Sequence, residues 1–181
     1  PHARVARLDS DTVSTKGSME NLLDRFGNGE IDILIGTQMV AKGLDFPNVT
    51  LVGILAADSL LRIPDFRAAE RNFSLLAQVS GRAGRGQHPG HVILQTYYPE
   101  HHSIQCALTE DYHGFFEKEA KMRQEALFPP FIELASFIVS GTDAEKTRSV
   151  ADQLAAALKA EENVSEEMLF GPAPAAIERL N

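Results

Sequence analysis

The sequence predicts an α/β fold: an open, mostly parallel sheet with helices on both faces, followed by a smaller α+β region. Three observations lead there. Short runs rich in β-branched residues, such as "IDILIG" (31–36) and "VTLVGILAA" (49–57), alternate with stretches of helical periodicity. Glycine and proline mark the changes between them. Apolar residues make up 44% of 181 residues, enough for a substantial core and too many for a disordered chain.

"RVARLDSD" (4–11) alternates as a strand does. Met19, Leu22, Leu23 and Phe26 then recur at helical spacing, and "GNG" (27–29) stops that helix. The runs at 31–36 and 49–57 read as strands buried on both faces. "IPD" (63–65) punctuates, and a helix is expected from Phe66 to Ala83 with Asp65 as its N-cap. "HVILQTYY" (91–98) is a further strand. Residues 100–126 carry two helical patterns, through Ile104, Ala107 and Leu108, then Phe115, Phe116 and Met122. "FPPF" (128–131) ends them, because proline cannot continue a helix. "IELASFIVSG" (132–141) alternates like an antiparallel strand. "TDAE" (142–145) has the form of a capping box, and Val150, Leu154, Ala157 and Leu158 follow at helical spacing. One strand, one helix and a loop do not close a domain. The expected division is therefore 1–98, a connector at 99–127, and the truncated beginning of a C-terminal domain at 128–181. The opening "PHARVARLDS" has neither an initiator Met nor an apolar signal core and reads as a cut within a longer protein.

Charge is unevenly placed. Residues 1–98 hold ten Lys/Arg and ten Asp/Glu; residues 99–181 hold seven and fifteen, so the net −8 resides in the second half. The bulk field does not attract a polyanion, and any grip on one must come from local groups in the first half. The single cysteine, Cys106, excludes an internal disulfide and a multi-thiolate zinc site, and fits a reducing, cytoplasmic setting. No apolar run is long enough to span a membrane.

Two segments carry chemistry. In "QVSGRAGRG" (78–86), Gln78, Arg82 and Arg85 are spaced i, i+4, i+7 and share one side if the helix continues that far. Phe73, Leu76, Ala77 and Ser80 lie on another side and can face the core. The intervening glycines leave the backbone open to close approach, and a pair of guanidinium groups can hold the oxygens of a transferring phosphoryl group. "GTQMVAKGLDFPNV" (36–49) begins at the carboxyl end of an expected strand, the edge where open α/β sheets bind ligands. It offers the Thr37 hydroxyl, the Lys42 ammonium, the Asp45 carboxylate and tight turns at Gly36 and Gly43.

Together the two segments resemble motifs V and VI of the second RecA-like lobe of superfamily 2 helicases. The linking stretch "TLVGILAADSLLRIPDFRAAERNFSLLAQVSGRAGRG", then "HVILQTYYPEH", narrows the resemblance to the PriA family of primosomal replication-restart DNA helicases. "RLDSDT" (7–12), "FPPF" and "FGPAPA" are similar to further landmarks of that family. Leu44 stands where His is expected, and Ala56 where Asp is common.

The resemblance implies roles. Arg82 and Arg85 match arginine-finger positions that reach the β- and γ-phosphates of ATP, and Gln78 matches the position at the γ-phosphate or attacking water. Gly43 and Asp45 match positions near the nucleotide, while Thr37, Gln38 and Lys42 match contacts to the DNA backbone. Asp65, Arg67, Glu70 and Arg71 read mainly as capping and helix-face charges, with Arg67 and Arg71 as secondary candidates for touching DNA. The implied cofactors are ATP and Mg²⁺ in the full-length parent, and zinc in its upstream cysteine-rich module, with no metal held by this segment. The implied partners are single-stranded and forked DNA, the first helicase lobe, single-stranded-DNA-binding protein and primosome loading proteins. The implied location is the bacterial cytoplasm, associated with the nucleoid. The sequence contains no Gly-x-x-x-x-Gly-Lys-Ser/Thr loop and no Asp-Glu-x-His motif. The segment alone is therefore expected neither to hydrolyse ATP nor to unwind DNA.

Two other readings fit the motifs: a lobe of another superfamily 2 repair helicase or excision-repair damage-recognition subunit, and a non-catalytic RecA-like interaction module. Elsewhere, His101, His102 and Cys106 could graze a metal but read better as a helix start. Phe115, Phe116 and Phe128 could stack bases, but their acidic surroundings favour core packing.

Overall fold

A computed structural model describes residues 2–8, 17–37, 46, 48–81, 89–165 and 168–174. The chain divides into two compact units, 1–131 and 132–181.

In the first unit, β1 (Val5–Leu8) pairs in parallel with β2 (Ile33–Gly36), Val5 opposite Ile33 and Leu8 opposite Gly36. β3 (Leu51–Ile54) pairs in parallel with β4 (His91–Leu94), Leu51 opposite His91. The strands are parallel as the alternation with helices requires. Among the described residues they form two separate pairs rather than one ladder. Nor are they buried on both faces: Ile33, Ile35, Leu51 and Ile93 are exposed, while Leu34, Val52 and Ile54 are half-covered. A strand with one described neighbour and one half-covered face keeps its β-branched composition but alternates in exposure.

Between β1 and β2, α1 (Ser18–Gly27) turns its half-buried Met19, Leu22, Leu23 and Phe26 to one side, as its stripe predicts. Gly17 precedes it at φ 104°, a conformation that favours glycine. Asp32 ties the starts of β1 and β2: its carboxylate takes a bidentate fork from Arg4 (2.7 and 3.0 Å) and the Arg4 backbone N–H (2.7 Å). Those hydrogen bonds hold its pKa down to about 2.

The core of the unit is helical. A short 3-10 turn (Ser59–Arg62) leads to α2 (Ala68–Ser80), followed after β4 by α3 (His102–Leu108) and α4 (Tyr112–Glu125). Phe73 and Leu76 of α2, Ile104, Cys106 and Ala107 of α3, Phe115 of α4, and Ala57 form one buried cluster. Phe73 and Phe115 stack face to face, centroids 4.2 Å apart. Each fully buried large side chain here contributes about 1.5–3 kcal/mol. Phe115 is thus core, as its surroundings suggested. Phe116 is exposed, and Phe128 stacks on Phe66 at 5.5 Å.

In the second unit, α5 runs from Ala144 to Lys159. Its cap is Asp143, whose carboxylate accepts from the Lys146 N–H (3.1 Å), so the capping residue is one position later than "TDAE" suggests. The half-covered stripe is Thr147, Ala151, Leu154, Ala155 and Leu158, leaving Val150 and Ala157 exposed. Residues 132–141 form no strand, against expectation. Alternation gives a segment two faces, but a ladder also needs a paired backbone, and no described segment supplies one.

Candidate functional site

The helix that carries the second motif is shorter than its sequence suggests. Asp65 does not cap it at Phe66. Its carboxylate accepts the Arg67 N–H (2.9 Å) in an Asx turn, and its carbonyl accepts the Ala68 N–H (2.9 Å), so α2 begins two residues later. Arg67 forks onto Asp65 at 3.1 and 3.1 Å, and Arg71 joins at 3.0 Å. These hydrogen bonds, Arg67's first, hold the Asp65 carboxyl below its ordinary range. Arg67 at the N-cap and Arg71 in the first turn of α2 both pair with the turn carboxylate.

The body of α2 is fixed from three directions. Phe73 and Leu76 enter the core. Asn72, buried, donates to Ser103 Oγ of α3 at 3.1 Å. Glu70 accepts from Arg123 of α4 at 2.8 Å. Arg123 in turn donates to Glu119 (2.9 Å) and lies over the Phe66 ring, 5.2 Å from its centroid. His102 Nε2 lies 2.9 Å from the other Glu119 oxygen. Burial raises the Glu119 pKa, but the hydrogen bonds from His102 and Arg123 outweigh it and hold the carboxyl below its usual range.

The far end of α2 leads into the second motif. The helix ends at Ser80, and the Gly81 N–H bonds the Ala77 carbonyl at 3.1 Å. The expected alignment of Gln78 with Arg82 and Arg85 falls on residues outside the described ones. Gln78 is exposed in the last turn. Gly81 sits at φ −66°, where any residue is at ease, and an added Cβ would meet only the Ala77 carbonyl, at 3.4 Å. Among the described residues, no contact demands a glycine there.

Of the first motif, Gly36 ends β2 and Thr37 follows it, exposed, at the carboxyl end of a parallel strand. Gln38, Lys42, Gly43, Asp45, Arg82 and Arg85 lie outside the described residues. Among the described residues, no group of three or more His, Cys, Asp or Glu is placed to hold a metal ion. His101 caps α3, its ring accepting the Ser103 N–H, and Cys106 is buried. No helix among the described residues is long and apolar enough to cross a membrane.

Sequence reasoning missed Asp58. Its carboxylate is fully buried just past the end of β3 and accepts from Thr96 Oγ1 (3.1 Å), the Tyr97 N–H (3.1 Å) and Arg62 (3.3 Å). Burial raises its pKa, yet these bonds bring it below the ordinary value. The only sequence signal was an acidic residue in an otherwise apolar run, too common to interpret alone.

Residues 2–87 match the helicase conserved C-terminal domain, and residues 124–181 match the primosomal protein N C-terminal domain. Replication restart protein PriA of Bacillus subtilis is 53% identical over 99% of this chain, which covers 22% of that protein. The PriA of Synechocystis is 47% identical over 99% of this chain and 22% of its own length. That of Haemophilus influenzae is 41% identical over 97% and 24%. The chain spans about a fifth to a quarter of the length of these relatives. With parallel α/β architecture, a helicase C-terminal lobe and a primosomal C-terminal region in one continuous match, this chain belongs to the PriA family of replication restart proteins.

Proposed function

We propose that this chain is the second motor lobe, with the adjoining C-terminal region, of an ATP-dependent DNA helicase that moves 3′ to 5′ and assembles the primosome at stalled forks. Residues 1–98 form the RecA-like lobe, 99–127 the connector and 128–181 the beginning of the C-terminal domain. The observation that carries the reading is the last turn of α2: exposed Gln78 on a helix otherwise locked into the core, immediately ahead of the arginines of the second motif. The names of the relatives point the same way. The match of residues 124–181 to the primosomal C-terminal domain favours this reading over a general repair helicase or a silent interaction module.

ATP with Mg²⁺ supplies the phosphoryl group whose transfer drives movement, and binds first on another lobe. Arg82 and Arg85 meet the charge that develops on the β- and γ-phosphates, and Gln78 orients the γ-phosphate or attacking water. Gly43 and Asp45 border the nucleotide. Thr37, Gln38 and Lys42 hold the DNA backbone, where contacts position without reading sequence. Zinc belongs to a cysteine-rich module elsewhere in the longer protein. Single-stranded-DNA-binding protein and primosome loaders are its partners, in a nucleoid-associated cytoplasmic setting. This chain alone, without a phosphate-binding loop, turns over no ATP.

The test is ATP turnover by the full-length protein, with and without forked DNA, for Arg82→Ala and Arg85→Ala. Each is expected to lower DNA-stimulated turnover by about 100-fold or more. Wild-type stimulation in both variants would sink the assignment.

A further inference from the structure

We propose that Tyr97, backed by Arg62, is a base-stacking platform for single-stranded nucleic acid at the carboxyl edge of the β3–β4 pair. The proposal rests on the helicase reading and assigns it a contact that neither motif supplies.

β3 and β4 run parallel and end at Ile54 and Leu94, so the segments that follow them leave by the same edge. The Ala57 N–H still bonds the Gln95 carbonyl (2.9 Å), which keeps the two segments together past the strands. Asp58 then fastens both. One carboxylate oxygen holds Thr96 and the Tyr97 N–H; the other holds Arg62. Thr96 Oγ1 accepts the Tyr98 N–H at 3.0 Å, so the backbone of 96–98 is fixed residue by residue.

On this anchored backbone the rings face solvent: Tyr97 is 77% exposed and Tyr98 55%. The Arg62 guanidinium lies over the Tyr97 ring, 5.9 Å from its centroid. A single exposed tyrosine is ordinary. An exposed tyrosine whose backbone and guanidinium neighbour are both positioned by one buried carboxylate is a prepared surface. Its entropy of ordering is already met before a ligand arrives.

The chemistry favours a base. Asp58 neutralises Arg62, so this contact is a π-face and not a phosphate grip. Aromatic platforms of that kind take any base, as a sequence-independent motor needs. Asp65, shared by Arg67 and Arg71, leaves one positive charge in excess at the start of α2, the sign that a passing phosphate requires. Thr37 leaves β2 at the same type of edge.

The experiment measures binding of a fluorescent oligothymidylate by the full-length protein and its Tyr97→Ala and Tyr97→Phe variants across a salt series. Tyr97→Ala is expected to bind about 5- to 100-fold more weakly with an unchanged salt slope, and Tyr97→Phe to bind as wild type. As a measurement independent of variant folding, irradiation of wild type with a 5-iodouracil oligonucleotide is expected to cross-link the peptide that contains Tyr97. Wild-type affinity in Tyr97→Ala, or a salt slope shallower by about one phosphate, overturns the proposal. If Tyr97→Ala does not fold, absence of the cross-link overturns it. A wild-type protein that does not bind the oligonucleotide overturns the helicase reading instead.

Discussion

The two ends of α2 are built on opposite principles. Its first turn and middle are held by Glu70, Asn72, Phe73 and Leu76, each with a partner on another element. Its last turn presents Gln78 to solvent and closes on a glycine whose conformation any residue could adopt. One helix is thus anchored at its start and middle and exposed in its last turn. Rigidity in this helix is supplied several residues away from the exposed Gln78. The comparison makes distinct predictions for substitutions along the same helix.

The largest effect is expected at the buried middle. Phe73→Ala removes a ring that is 5% exposed and stacked on Phe115. The loss should be about 3–5 kcal/mol in denaturant unfolding, the range for aromatic truncation in a packed core. A loss under about 1 kcal/mol would mean that the cluster collapses around the gap and that α2 is not anchored there.

Next comes the polar fastening. Arg123 is 12% exposed and pairs with a nearly buried Glu119 and a half-exposed Glu70. Arg123→Ala should cost about 2–4 kcal/mol, because it leaves Glu119 buried without its guanidinium. Glu70→Ala should cost less than about 1 kcal/mol, since a solvated carboxylate is easily rehydrated. A double-mutant cycle separates them: coupling of Arg123 with Glu119 should exceed coupling with Glu70. Equal couplings would show that Arg123 holds the start of α2 as strongly as it holds its own helix. The folded Glu119 pKa is lowered, so its contribution is present above the ordinary carboxylate range and disappears as pH falls through the folded value. The difference between wild type and Arg123→Ala should accordingly narrow in acid.

Much of this division was legible in the sequence. The i, i+3, i+4 stripe of Phe73, Leu76 and Ala77 marks a core face without any knowledge of what covers it. "QVSGRAGRG" draws the eye by composition, with arginines among glycines in a charge-neutral half, but its arginines lie outside the described residues. Glu119 was not legible. Its partners are four residues ahead on its own helix and seventeen behind on another, and only folding reveals that the second is near. Asp58 was hidden similarly, its acceptors filled from 38 and 39 residues away. The strand expected at 132–141 failed for a related reason: alternation is local, whereas a ladder depends on a neighbour. The end of α2 was misjudged because Gly81 and Ala83 are compatible with a helix, so periodicity alone ran past Ser80.

The smallest effect on stability, and the most informative for function, is expected at the last turn. Gln78 is exposed in the last turn, beyond the buried anchors. Gln78→Ala replaces it with a better helix former and should change stability by no more than about 0.5 kcal/mol. If the amide meets the γ-phosphate or attacking water, ATP turnover by the full-length protein should fall at least about tenfold, chiefly in kcat. Gln78→Glu keeps size and reach but replaces the donor with a negative charge, and should fall further beside phosphate. A merely structural side chain would give the reverse pattern, with turnover following melting temperature across Phe73→Ala, Arg123→Ala and Gln78→Ala alike. The division of labour along α2 requires that the two orderings disagree: the variant least damaging to the fold must be among the most damaging to turnover.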